Sequence, residues 1–292
     1  MGVGDKNVRN LDFLFRVIAI VTMMKSDSMK YMTEKAKPLR RQMAALIRAV
    51  WEENLRLKTS GLVTMTWGNV SGIDRRRGIV VIKPSGLDYD SLRPTDMVLT
   101  DLEGHRLEPA SRLESALMPS TDLPTHLVLY REFPEIGGVV HTHSTYATAF
   151  AQACRSLPCL GTTHADYCYG AVPVTEVMHP AAIREQYEAN TGRMIVKKIR
   201  SLRLQPMACP FIFVANHAPF AWGATPSAAV ENAIVLEAIS KMALLTFLLD
   251  GRRTGISQAL LDKHYLRKHG RSAYYGQAKL RLPVGQHISR AC

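Results

Sequence analysis

The sequence predicts a layered α/β domain, and three observations carry that prediction. Apolar stripes at helical spacing alternate with short runs of β-forming residues, as when helices cover a sheet. Hairpin-length turns separate the early strand-like runs, too short for the crossovers of an all-parallel sheet. The 292 residues are 47% hydrophobic and 21% charged, an ordinary globular balance that excludes wholesale disorder.

The first helix starts near Leu39, where Met43, Leu46, Ile47 and Val50 fall at i, i+3, i+4 and i+7. Residues 62–67, 79–83 and 97–100 read as strands between Gly, Pro and Asp turns. Residues 124–133 read as a helix opening near Asp122 or Leu123, and 136–141 as an apolar strand. Ser144 suits the N-cap of a helix reaching Cys154. Residues 211–215 form another buried strand. Thr225-Pro226 then opens a long helix to about Leu249, since Pro fits the first helical position and Gly251 the exit. That helix is apolar almost all round, which implies burial in a large core or a subunit interface.

Residues 1–38 do not join this pattern, and Met23, Met24, Met29, Met32 and Met43 offer internal starts. They are expected to be a disordered extension or an upstream-start artefact; residues 39–277 form the domain, and 278–292 a basic tail. No run of about 18 apolar residues exists, so no membrane association is expected. No small-x-small site follows the apolar stretch 17–24, so no secretory peptide is expected either. Five cysteines without a C-x-x-C pair read as reduced thiols in a cytoplasmic protein. The net charge of +12 sits at the ends, +6 in residues 1–48 and +8 in 251–292, leaving the body near neutral. That distribution argues against a nucleic-acid groove, although basic ends can guide an anionic substrate or contact a neighbouring subunit.

His141-Thr142-His143 closes an apolar strand, where alternate residues point the same way and both imidazoles reach one side. Alone, the pair equally fits two polar residues capping a strand. His217 strengthens the metal reading because it lies just past the other buried strand, at an equivalent end. Three neutral imidazoles with open positions suit catalytic Zn²⁺, with Mn²⁺, Fe²⁺ or Co²⁺ as alternatives. Lys83-Pro-Ser85-Gly86 is a strand running into a tight turn, which can present N–H groups and a cation to a phosphate. Ser120-Thr121 precedes a helix, whose N-terminus favours negative charge. No Walker, dinucleotide or G-x-S-x-G fingerprint is present. Asp166 lies among polar and aromatic residues, and 261–277 is rich in polar groups, as in a solvated terminal helix or a site.

In order along the chain stand Thr66-Trp-Gly-Asn-Val-Ser71, Ile82-Lys-Pro-Ser-Gly86 and Pro119-Ser-Thr-Asp-Leu-Pro-Thr-His126. Gly137-Gly-Val-Val-His-Thr-His-Ser144, Gly161-Thr-Thr-His-Ala-Asp-Tyr167, Pro219-Phe-Ala-Trp-Gly223 and the 261–277 stretch follow. This series resembles the L-ribulose-5-phosphate 4-epimerase family of the class II aldolase/adducin superfamily over residues 41–277. The resemblance implies a three-layer α/β/α sandwich around a mixed, largely antiparallel sheet, assembled as a cyclic homotetramer with sites between subunits. It implies that Asp122, His141, His143 and His217 form the metal site, and that Asn69, Ser85, Gly86, Ser120 and Thr121 hold the phosphate, with Lys83 nearby. Asp166 and Tyr275 would be the acid/base pair, the Tyr coming across a subunit interface, and Glu188, His264 and Arg267 would support them. The implied reaction cleaves C3–C4 of L-ribulose 5-phosphate, turns the aldehyde and rejoins it as D-xylulose 5-phosphate. Within the superfamily the rivals are a sugar-phosphate aldolase, usually with Glu at the position of Asp122, and a non-catalytic adducin-like module. Thr121 stands where the family has Ser. Asn216-His217-Ala218 replaces Ser-His-Gly, so Ala218 is strained if that position needs a positive φ.

Overall fold

The structure, a computed structural model, describes residues 39–107, 117–271, 273 and 274. Six strands form one sheet: β1 (Asn69–Asp74), β2 (Ile79–Ile82), β3 (Val98–Thr100), β4 (Gly138–His141), β5 (Phe211–Phe213) and β6 (Pro219–Gly223). Their spatial order is β3-β2-β1-β4-β6-β5, and each neighbouring pair is antiparallel. An isolated parallel bridge joins Val174 to Phe213 at the β5 edge, outside the six antiparallel strands. The helices are α1 (Ala44–Thr59), α2 (Leu123–Glu132), α3 (Thr145–Gln152), α4 (Thr162–Ala165), α5 (Pro180–Ser201), α6 (Pro226–Leu249) and α7 (Gln258–His269).

Period-two alternation along the strands sorts the core into layers. Val80, Ile82, Val139, Ile212 and Trp222 pack with Leu127 of α2 and Ile195 of α5. Val140, Phe211, Phe213 and Ala221 face the other way, against Phe150 of α3 and Val230 and Leu236 of α6. On that same face Ile79, Val81 and Leu99 meet Ile47 and Val50 of α1. The sheet is therefore the middle layer of an α/β/α sandwich.

The expected strand at 62–67 is instead a turn, with Met65 at φ +54° and Gly68 at φ +86°. Met65 and Trp67 are exposed, and the first strand begins at Asn69. Its Ser71-Gly72 centre hides the strand from a propensity reading. A Cβ on Gly72 would lie 2.7 Å from Pro226 Cγ and 2.9 Å from Leu46 Cδ1, so closely do α1 and α6 cover it. Gly138 of β4 is equally constrained, because a Cβ there would lie 2.6 Å from the backbone of Pro226. Gly138→Ala should therefore cost about 1–3 kcal/mol through overpacking. The check is the urea midpoint, and an unshifted midpoint would show that α6 yields freely.

Thr225 Oγ1 accepts from Ala228 N at the start of α6, and Pro226 takes the first helical position. The helix divides in two along its length. Val230, Ala233 and Leu236 are buried, whereas Met242, Leu245, Leu248 and Leu249 are exposed. Among the described helices α6 alone is long and apolar enough to cross a membrane, by length and composition only. Its Glu237 reaches back to α3 and accepts from Tyr146 N at 3.0 Å and Ala147 N at 2.9 Å. Ser144 holds the expected N-cap position, yet its hydroxyl makes no capping bond. The four described cysteines are free thiols. The assignments for 1–38 and 278–292 lie outside the described residues.

Candidate metal centre

β4 delivers His141 to the sheet's end, opposite Asn69 of β1 and Phe220 of β6. His143 follows two residues on, and the turn between β5 and β6 brings in His217. The ring centroids lie 4.9 Å apart for His141–His143 and His141–His217, and 5.2 Å for His143–His217. One donor atom from each falls within 4.8 Å of the other two. Tetrahedral coordination with bonds of about 2.0–2.1 Å places donors about 3.3 Å apart, so a small adjustment closes the set.

The protonation pattern fits an ion. His141 Nδ1 lies 3.0 Å from the Pro219 carbonyl, which can only accept, so Nδ1 carries a proton and Nε2 is the nitrogen left for a ligand. That Nε2 faces His143 Nε2 at 3.1 Å. His217 Nδ1 is buried without a hydrogen-bond partner among the described residues. Burial lowers the His143 imidazole, helped by His141 and opposed by Asp122. Burial also takes His217 down to about 4, with His141 and His143 adding to it. Neutral donors around one point can share a cation, and the three residues could hold a divalent one.

Asp122 stands at the head of α2 beside them. Burial raises its carboxyl, but His141, His126 and the Asn69 hydrogen bond outweigh that, leaving it lowered and anionic. Its Oδ2 accepts from Asn69 Nδ2 at 2.7 Å and Ser120 Oγ at 3.4 Å. Asp122 is not one of the three residues with mutually close donor atoms, but it lines the same cleft of about 400 Å³.

A second group of cleft residues, Lys83, Ser85, Gly86, Ser120 and Thr121, could receive an anion. Ser120 N donates to the Lys83 carbonyl and Ser85 N to the Met118 carbonyl, which clamps the two loops together. Gly86 turns at φ +66°, a conformation that glycine adopts without penalty. Lys83 is 1% exposed and forms no ion pair among the described residues. Its Nζ sits 4.6 Å above the Tyr89 ring and contacts the Pro84 carbonyl at 3.4 Å. Burial lowers the ammonium to about 8, against the pull of Asp88. Thr121 is exposed, so its extra methyl meets open space. Ala218 does not take a positive φ; Asn216 does, at +58°, and Asn tolerates that region well.

Asp166, His264 and Arg267 form a separate cluster. Arg267 Nη2 grips both Asp166 oxygens at 2.8 and 3.0 Å, and His264 Nδ1 lies 3.1 Å from Oδ1. Burial raises the Asp166 carboxyl, but Arg267 and His264 outweigh it and leave it lowered. None of the three lines the imidazole cleft. Tyr275 lies outside the described residues.

A model of the class II aldolase and adducin N-terminal domain matches residues 48–244, more than half of the chain. The chain belongs to the class II aldolase and adducin family. Among solved structures it is similar to an L-fuculose 1-phosphate aldolase, with a TM-score of 0.63 and 21% identity over 77% of this chain and 96% of that one. An L-fuculose 1-phosphate aldolase from Glaciozyma antarctica gives a TM-score of 0.61 and 17% identity, covering 77% of this chain and 81% of that one. A sugar-phosphate aldolase from Thermotoga maritima gives 0.54 and 18%, covering 73% of this chain and 100% of that one. At these identities the likeness establishes the fold.

In this class II aldolase domain, Asn69, Lys83, Ser85, Gly86, Ser120, Thr121, Asp122, His141, His143, Glu188 and His217 share one cleft. Tyr187 also lines it, with its ring centroid 5.9 Å from His217, and was missed in the sequence. It follows a kink at Gln186 inside α5, which Asn190 spans by donating to the Ala182 carbonyl at 2.9 Å. The mid-helix Gly192, where a Cβ would lie 2.8 Å from Val128, was the available sign that α5 packs tightly on α2. Trp67 flanks His143 at 6.1 Å. Buried Ser71, His126 and Tyr130 lie beneath, and none had been singled out.

Proposed function

We propose that the chain is a divalent-metal-dependent enzyme, with zinc as the first choice, that interconverts L-ribulose 5-phosphate and D-xylulose 5-phosphate. The observation that carries this reading is a cluster of three imidazoles sharing one cleft with a buried lysine that forms no ion pair among the described residues. His141, His143 and His217, with Asp122 beside them, would hold the divalent ion, which would supply Lewis acidity for breaking C3–C4. Lys83, Ser85, Gly86, Ser120, Thr121 and Asn69 hold the phosphate of the aldehyde fragment while it turns. Asp166 and Tyr275 exchange the C4 hydroxyl proton from opposite sides. Glu188, His264 and Arg267 support them.

Asp166 lies outside the cleft of its own chain, so its action there calls for a neighbouring subunit, as does that of Tyr275. The exposed apolar end of α6 favours such a homo-oligomer, and a tetramer is the assembly proposed. The free thiols favour a cytoplasmic location.

The second reading, a sugar-phosphate aldolase, is favoured by the names of the similar structures. Against it, Asp122 is short and tied to Asn69, whereas a longer carboxylate would reach the substrate as a base. The deciding assay supplies L-ribulose 5-phosphate and identifies the product. Xylulose 5-phosphate supports the epimerase; free glycolaldehyde phosphate without it supports the aldolase. Tyr275→Phe should lower epimerisation by about 10²–10⁴-fold while metal content stays unchanged. Unaltered turnover would remove Tyr275 from the mechanism.

A further inference from the structure

The inner face of α2 carries a polar stripe through otherwise apolar core. Asp122, His126 and Tyr130 recur at four-residue spacing, so they stack on one side of the helix. Asn69 and Ser71 of β1 oppose them from one face of the sheet. Asn69 holds Asp122. Ser71 Oγ lies 2.7 Å from His126 Nδ1 and 2.7 Å from the Tyr130 hydroxyl. Tyr130 and His126 are both fully buried.

One arrangement of the hydrogen bonds gives the Tyr130 and Ser71 hydroxyl protons an acceptor each. The Tyr130 hydroxyl, which already receives the Val139 amide, has Ser71 Oγ as the acceptor for its own proton among the described residues. Ser71 then gives its own proton to His126 Nδ1. In that arrangement the neutral His126 ring carries its hydrogen on Nε2, and that atom is buried with no partner among the described residues. An unpaired buried donor costs about 1–3 kcal/mol, and such groups persist where they have a use. One helical turn away, Asp122 Oδ2 is taken by Asn69, while Oδ1 makes no hydrogen bond among the described residues. Burial lowers the His126 ring to about 3, against the pull of Asp122.

We propose that His126 is a positioning residue, whose Nε2–H takes up Asp122 Oδ1 when a divalent ion draws that carboxylate toward the three imidazoles. Asp122 is then fixed from both sides, by Asn69 on Oδ2 and His126 on Oδ1. Tyr130 and Ser71 act through His126 by fixing its tautomer. The proposal rests on the metal-centre reading above.

Two variants and one spectrum test it. Asn places its amide near the Nδ1 position and keeps the Ser71 contact; Gln reaches the Nε2 position. His126→Asn should weaken Zn²⁺ and Mn²⁺ binding, read by chelator competition, by about 10- to 100-fold, the range for groups that orient a metal ligand. His126→Gln should stay within about threefold of wild type. A role limited to pinning α2 on β1 predicts the opposite order, and that order would overturn the proposal. In ¹⁵N-histidine spectra of the metal-free full chain, His126 should be the Nε2–H tautomer, and Tyr130→Phe should release it. An Nδ1–H tautomer in wild type overturns the proposal even if neither variant folds. Wild-type protein that binds neither ion removes the metal reading itself. Wild type that binds while His126→Asn binds equally well removes only the role of His126.

Discussion

Metal-free protein is expected to lose turnover by about 10³-fold or more, with Zn²⁺ or Mn²⁺ restoring it. The estimate follows from several kcal/mol of Lewis-acid stabilisation at about 1.4 kcal/mol per tenfold. His143→Ala should lose the same activity without rescue, since it removes one of three donors that share a point. Full activity after exhaustive chelation would end the metallo-enzyme reading. Acid behaviour gives an independent check on the same imidazoles. The fold holds His217 near 4 and lowers His143, whereas the unfolded chain takes up protons near the ordinary value of 6.5. The unfolded state therefore binds more protons between those values, and stability falls as pH drops from about 6.5 toward 4. Melting curves at pH 7 and pH 5 in chelator should show that loss. An equal Tm at both would mean that the rings are not held neutral.

Lys83→Met is expected to raise the KM for a phosphorylated ketose by about 10- to 100-fold, the worth of one charged hydrogen bond in a buried site. Metal affinity should not move, because Lys83 is not among the residues whose donor atoms converge. The wild-type enzyme should bind phosphate less well above pH 8, where Lys83 loses its proton, and the variant should lack that limb. Stability should change in the opposite sense to binding. Burial disfavours the ammonium, so replacing it with an apolar chain of similar length should raise Tm. An unchanged KM would place the phosphate elsewhere, and a large fall in Tm would mean that the ammonium stabilises the empty fold.

The sequence disclosed those elements whose side chains announce their environment. α6 was legible at both ends because Thr225 and Pro226 act locally. β2 and β4 were legible because burial on both faces leaves continuous apolar runs. β1 was not, since helices press on it so closely that Gly72 replaces the β-branched residue a propensity reading seeks. The histidines were found by their strand-end positions. Tyr187 depends on a backbone kink, and His126 on a hydrogen-bond chain across two elements. Neither leaves a mark at one position. The suspected strain at Ala218 went to its neighbour Asn216, because the direction of a turn cannot be read from composition.

The first turn of α3 begins two residues after His143, and a carboxylate from a different helix satisfies its amides. Glu237 thus works as a tether between the outer layer and the ion-binding corner. Losing it would strand two amide protons and let the peptide behind His143 drift. A defect in the candidate metal centre could therefore originate on the long outer helix, at a residue that does not line the cleft.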